Sequence, residues 1–148
     1  MGQQQLLLLV LGIVIVGLAV VVGIQAFSEN QKKANADALV NDAIRIASDA
    51  QAWKLKPAAF GGGASATNWT GLTLLQLGYD VGDNTSTQGE ADDDQYENLN
   101  GIFDMSASGA TLTILGTGYN GSTAFNTVRV TVTGTEPSDI TTLVNPSS

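Results

Sequence analysis

From Leu6 to Ile24 the chain carries nineteen consecutive residues without a charged or polar side chain. The bulk is supplied by Leu6, Leu7, Leu8, Leu9, Val10, Leu11, Ile13, Val14, Ile15, Val16, Leu18, Val20, Val21, Val22 and Ile24, with small residues between. The run is just long enough, as a helix, to cross the hydrocarbon of a bilayer. The 124 residues after it are rich in Gly, Ser, Thr and Asp and have material for one modest core. A single compact unit on an apolar tail is therefore expected.

Three fates are open to such a run. A cleaved export signal has a basic start, an apolar stretch of about 7–15 residues and a small-residue cleavage site; here the start is Gln3, Gln4 and Gln5, the stretch is longer, and only Ala26 offers the third element. A permanent membrane anchor fits the length. The remaining fate is a helix that spans a membrane while stored and later packs among copies of itself as the core of a filament.

The helical pattern does not end with the apolar run. Residues 27–56 contain neither Gly nor Pro, and Leu39, Ala43, Ile46, Ala50 and Trp53 recur at spacings of 4, 3, 4 and 3, which puts them on one stripe. Asp37, Asn41, Asp42, Arg45, Ser48 and Asp49 occupy the other, solvated faces. Pro57 supplies the stop, since it has no amide donor and restricts Lys56. One helix over residues 3–56 would measure roughly 80 Å, against about 30 Å for a small domain. The apolar half is thus expected to project from the rest.

Charge divides the chain in the same place. Five of the six basic residues lie at or before Lys56, whereas ten acids follow Pro57 against Arg129 alone. A surface of that sign repels nucleic acid and anionic membranes, so no nucleic acid is expected as a direct ligand. The chain has no cysteine and no histidine. Disulfides, thiol nucleophiles and the usual zinc and haem ligands are excluded, and no cofactor is expected.

A short polar start, about twenty unbroken apolar residues, continuation into an Ala-rich amphipathic helix and a small Gly/Thr-rich β region together resemble a type IV pilin or a related pilin-like filament subunit. As a sequence match the likeness is concentrated in residues 1–53. The resemblance implies a membrane-held precursor trimmed by a prepilin peptidase after a glycine, often N-methylated, and polymerised by an ATPase-driven assembly machine. It implies residence in the inner or cytoplasmic membrane before assembly, then at the cell surface in an extracellular homopolymer.

Family members commonly carry an acidic residue five positions into the mature protein. If Met1 is the mature start, this chain has Gln5 there, and Met1 fills the family's apolar first position. A neutral amide avoids most of the penalty of burying a carboxylate but gives up its pull on a neighbouring amine. N-terminal registration would then rest on packing and on amide hydrogen bonds from Gln3, Gln4 and Gln5, which form a collar around the helix. Gly12, Gly17 and Gly23, each costing roughly 0.8–1 kcal/mol of helix stability relative to Ala in water, are either ordinary membrane-helix glycines or places where the helix stretches on assembly.

After the loop containing Gly61, Gly62 and Gly63 the pattern changes. Leu72, Leu74, Leu75 and Leu77 suggest one or two helical turns, and residues 79–101 read as a long polar loop with no hydrophobic period. Alternation starts at Ile102: Phe103, Met105 and Ala107 share a face, then Leu112 and Ile114, then Val128, Val130 and Val132, with Ile140–Val144 as a last strand. The expected fold class is α+β: a long N-terminal helix whose second half lies on a small four-stranded antiparallel sheet. The expected division is 1–26 for the apolar helix, 27–56 for its amphipathic continuation and 57–148 for a β head packed on residues 39–53.

Other chemistry is thinly supported. Asp80, Asp83, Asp92 and Asp94 could gather Ca²⁺, but the spacing is not that of an EF-hand. No histidine base and no Ser-x-x-Lys arrangement accompanies the serines and threonines of the head, and the acids are clustered in one loop, so no catalytic residues are expected. Asn68, Asn84 and Asn120 each begin an N-x-Ser/Thr triplet in an expected loop and are candidate glycosylation sites. Besides a filament subunit, the chain could be a monomeric single-pass surface binding protein or a pseudopilin of a secretion system.

Overall fold

The computed structural model describes residues 2–63, 68–81, 95–120 and 123–146. The chain divides into two units, Met1–Ala34 and Asn35–Ser148. One α-helix, α1 (Gly2–Leu55), supplies the whole of the first unit's described structure and the helical layer of the second.

In the second unit α1 packs on a five-stranded antiparallel meander in the order β1 (Tyr96–Asn98), β2 (Gly101–Ser108), β3 (Thr111–Asn120), β4 (Thr123–Val132) and β5 (Ile140–Val144). The fold class is α+β, as expected, with one strand more than the alternation indicated. The extra strand, β1, lies at the end of the stretch read as a polar loop. Three residues, Tyr-Glu-Asn, are too few to show a period. They are held as a strand by pairing with Gly101–Phe103 and by the Tyr96 ring, which packs between Tyr79 (centroids 4.8 Å apart) and Phe103 (6.0 Å).

The core forms where the two apolar faces meet. Leu39, Ala43, Ile46, Ala47 and Ala50 of α1 bury themselves against Phe103, Leu112, Ile114, Val128, Val130 and Val132. Trp53, the last residue of the expected stripe, is half-buried, and its indole donates to the Gly61 carbonyl at 3.0 Å. Ala36 and Gln51 widen the stripe into a band. The Gln51 side-chain nitrogen donates to the carbonyls of Gly134 and Glu136 at 3.0 and 2.8 Å, pinning the β4–β5 connection to the helix. The bonds of Asn35 to Asn126 and of Gln51 to Gly134 bring the two ends of this helical stretch to the two ends of β4.

Close approach depends on absent side chains. A Cβ on Gly118 would collide with Asn35 Oδ1, and one on Gly116 would come within 2.8 Å of the Phe103 ring. Along β2 the inward face fades: Phe103 is buried, Met105 half-buried and Ala107 exposed, because the expected face outruns its cover. The leucine-rich segment forms one 3₁₀ turn, Leu75–Leu77, with Leu72 and Leu74 in the core and Leu75 exposed. Trp69 is fully buried and donates its indole N–H to the Ala110 carbonyl at 2.9 Å.

Candidate assembly surface

The first unit is a surface without an interior. All fifteen large aliphatic side chains from Leu6 to Ile24 are exposed, from 50% at Val10 to 71% at Leu7. This helix is long and apolar enough to cross a membrane. At about 2 kcal/mol per side chain, leaving fifteen of them in water forgoes on the order of 30 kcal/mol of transfer free energy. The segment therefore requires lipid or other protein around it.

Gln3, Gln4 and Gln5 are exposed in the first turns of α1, and Met1 lies outside the described residues. Gly12, Gly17 and Gly23 sit in regular α-helix, and a Cβ at any of them would meet nothing within 4 Å. Phe27, three residues past the apolar run, is also exposed.

The head carries a second feature, built from polar residues on α1. Asn35, Asp42 and Asp49 are spaced by seven, so they lie in a line beside the apolar stripe. Each reaches the sheet or its neighbouring loops. Asn35 Nδ2 donates to the Asn100 carbonyl at 2.8 Å and its Oδ1 accepts from Asn126 at 3.1 Å. Asp42 Oδ2 accepts from the side-chain nitrogens of Asn98 (2.9 Å) and Asn100 (2.7 Å).

Asp49 Oδ2 accepts the Tyr79 hydroxyl proton at 2.5 Å. Burial, then this hydrogen bond and the charge of Asp49, push the Tyr79 pKa well above its ordinary value. By helical period Asp42 and Asp49 belong to the solvated faces of α1. They are instead buttresses of the β1–β2 edge, and their seven-residue spacing was the signal available for finding them.

The same bonds shape the β1–β2 turn. Asn98 Oδ1 accepts from the backbone nitrogens of Asn100 and Gly101 at 2.8 and 3.2 Å, leaving Leu99 alone at the tip, fully exposed. Beside it lies an open groove of about 530 Å³ bounded by Glu97, Leu99, Ile102 and Tyr119 among others. On the sheet's outer face, cross-strand register aligns Asp104, Leu115, Arg129 and Leu143 in one row and Ser106, Thr113, Thr131 and Thr141 in the next. Arg129 and these threonines thus point away from the helix.

The remaining candidates are scattered. Asn68 is half-buried and its Oδ1 accepts from the Thr70 amide at 3.3 Å, while Trp69 between them is in the core. Asn120 is the last residue of β3, not part of a loop, because β3 and β4 continue pairing past a register shift at Gly118/Tyr119. Asn84, Asp83, Asp92 and Asp94 lie outside the described residues, and Asp80 is exposed. Among the described residues no group of three or more acids is placed to hold a metal ion.

No protein-family model, curated protein or solved structure matches this chain. The architecture itself is pilin-like: an apolar N-terminal helix continues into a segment packed on an antiparallel sheet. It is compatible with a membrane-anchored surface protein.

Proposed function

We propose that the chain is the structural subunit of a surface filament of the type IV pilus class, polymerising through residues 6–24. The observation that carries this reading is that one unbroken α-helix holds both the exposed apolar run and the band that forms the head's core. A simple anchor needs only a greasy segment on any linker. A filament subunit needs that segment joined helically to the head, so that packing in the core sets the spacing of the surface.

Between apolar helices, shape and not water exclusion discriminates, because lipid is as apolar as the partner. Extraction from the membrane into the polymer therefore requires an external assembly machine. Residence in the cytoplasmic membrane, trimming by a prepilin peptidase and N-methylation belong to the same proposal.

Electron microscopy of cells making the full chain, and of material sheared from them, tests it. Long fibres with a core of closely packed helices are expected, with a mature N-terminus ahead of the apolar run by mass spectrometry. A monodisperse monomer in mild detergent, with no fibres on cells making the chain at high level, overturns the proposal in favour of a single-pass anchored binding protein. A mature chain beginning near Phe27 overturns it in favour of an export signal, and short stubs confined to the envelope in favour of a pseudopilin.

A further inference from the structure

We propose that Asn100–Gly101 is a latent deamidation site, kept closed in the folded head by Asp42, Asn35 and Asn98. The site lies wholly within the second unit and does not depend on how residues 6–24 are used.

An asparagine followed by a glycine is especially prone to lose its side-chain amide, because glycine puts no side chain in the way of the attack. The glycine's backbone nitrogen, having given up its proton, adds to the asparagine Cγ. The Cγ–Nδ2 bond breaks, ammonia leaves with a proton taken from water, and a five-membered succinimide forms. Water then opens the ring at either carbonyl to give aspartate or isoaspartate. Water is the only co-reactant.

The chain has two such dipeptides, Asn100–Gly101 and Asn120–Gly121. At the first, packing dictates the glycine. Gly101 is buried, and a Cβ there would collide with the Thr117 carbonyl and come within 2.9 Å of Leu39 Cδ2. Asn100 is set by its partner on α1, since its Nδ2 donates to Asp42 Oδ2 at 2.7 Å. A labile pair is therefore built into the turn where the sheet meets the helix.

The contacts that require the pair also block its reaction. Attack needs the Asn100–Gly101 peptide plane to turn until the Gly101 nitrogen faces Cγ, and the Asn100 side chain to swing over it. Both sides of that plane are held: the Asn100 carbonyl accepts from Asn35 Nδ2 at 2.8 Å, and the Gly101 N–H donates to Asn98 Oδ1 at 3.2 Å. The proton that must leave Gly101 is thus itself in a hydrogen bond. The Asn100 side chain is held by Asp42, which also accepts from the Asn98 amide at 2.9 Å and so fixes the residue that grips Gly101. A carboxylate at this position further opposes the negative charge that develops during attack.

Reaction at Asn100 consequently waits for local opening of the β1–β2 turn. Once it has happened, a carboxylate stands where an amide donated to Asp42, and the turn does not close as before. Openings of this edge are recorded irreversibly.

Mass spectrometry of peptides spanning Asn100 and Asn120 tests the assignment. The full chain is held for days in mildly alkaline buffer, either folded in mild detergent or unfolded in guanidinium. Both asparagines should convert readily in the unfolded chain, and Asn100 at least roughly tenfold more slowly in the folded one. Asp42→Ala should raise the folded-state rate at Asn100 about tenfold, with circular dichroism showing the head still folded. Asp42→Asn, which keeps one acceptor oxygen and the shape of the side chain, should give a smaller rise and serves if the alanine variant does not fold. Val130→Ala, which truncates a fully buried side chain in β4, should leave the rate at Asn100 little changed. Conversion of Asn100 as fast in the folded chain as in the unfolded one overturns the proposal. So does an unchanged rate in the folded Asp42 variants, or an equal rise with Val130→Ala, which would make global unfolding the gate.

Discussion

Residues 6–24 and residues 36–51 belong to the same helix and solve opposite problems. The first stretch is apolar all round and buries nothing; the second confines its apolar side chains to a band and buries Leu39, Ala43, Ile46, Ala47 and Ala50 to within about 1% of completely. Backbone hydrogen bonding is the same in both. What differs is where the partner for the apolar surface comes from: the sheet in the second stretch, lipid or other molecules in the first. Stability of the head and the fate of the apolar run, which under the proposed function is assembly, are therefore separable properties of one secondary-structure element.

The sharpest way to break that separation is a charge in the middle of the first stretch. Val14→Asp places a carboxylate at the centre of the apolar run, at about 3 kcal/mol for membrane insertion. Assembly is expected to be abolished, read as loss of sedimentable fibres, while the head's melting temperature by near-ultraviolet circular dichroism stays within about 1 °C. The opposite experiment is Leu39→Ala. Leu39 is fully buried and lies against Gly116 and Gly118, so truncation should cost about 2–5 kcal/mol. The head should melt on the order of 10 °C or more lower. Fibre yield should fall only in proportion to the folded fraction.

The two stretches were not equally readable. The apolar run announces itself by length, and the stripe from Leu39 to Ala50 by its period, because both signals are repeated many times along the chain. Alternation in residues 112–114 and 128–132 likewise placed β3 and β4. β1 escaped because a three-residue strand has no period and takes its shape from Tyr79 and Phe103, which lie elsewhere in the sequence. The partner of Trp69 was not legible because it is the turn at Gly109 and Ala110, forty residues away. Asp42 was read as solvated because a carboxylate's burial depends on donors that other elements bring. Leu99 could not be distinguished from a core leucine until the turn around it was known.

Asp42 gives the next test, smaller in effect and confined to one edge of the head. Asp42→Ala leaves the amides of Asn98 and Asn100 without their shared acceptor and should cost about 1–3 kcal/mol by chemical denaturation. The loss should be local. Hydrogen exchange at the Asn100 and Gly101 amides should quicken, while protection of β3 and β4 around Val130 changes little. A uniform rise in exchange across the sheet would show that the β1–β2 edge and the core do not separate as energetic units.

The smallest expected effect concerns Tyr79, which ties the helix to that edge from the other side. In the folded head its hydroxyl is buried and donates to Asp49, so its pKa is raised above the ordinary 10.0. A raised folded-state pKa means that the native state holds the proton more tightly than the unfolded chain. The stabilisation is fully present below pH 10.0 and is lost as the pH climbs from there through the folded value. Tyr79→Phe should therefore cost about 1 kcal/mol at pH 7, the ordinary worth of a hydrogen bond made on folding. The stability of the unsubstituted protein should fall faster than that of the variant once the pH exceeds 10.0, because only the former has this phenol to ionise on unfolding. Denaturation curves for the two proteins at pH 7, 9, 10.5 and 11 give the comparison. Parallel pH profiles would mean that Asp49 holds Tyr79 no more tightly than water does, and that the buttress line ends at Asp42.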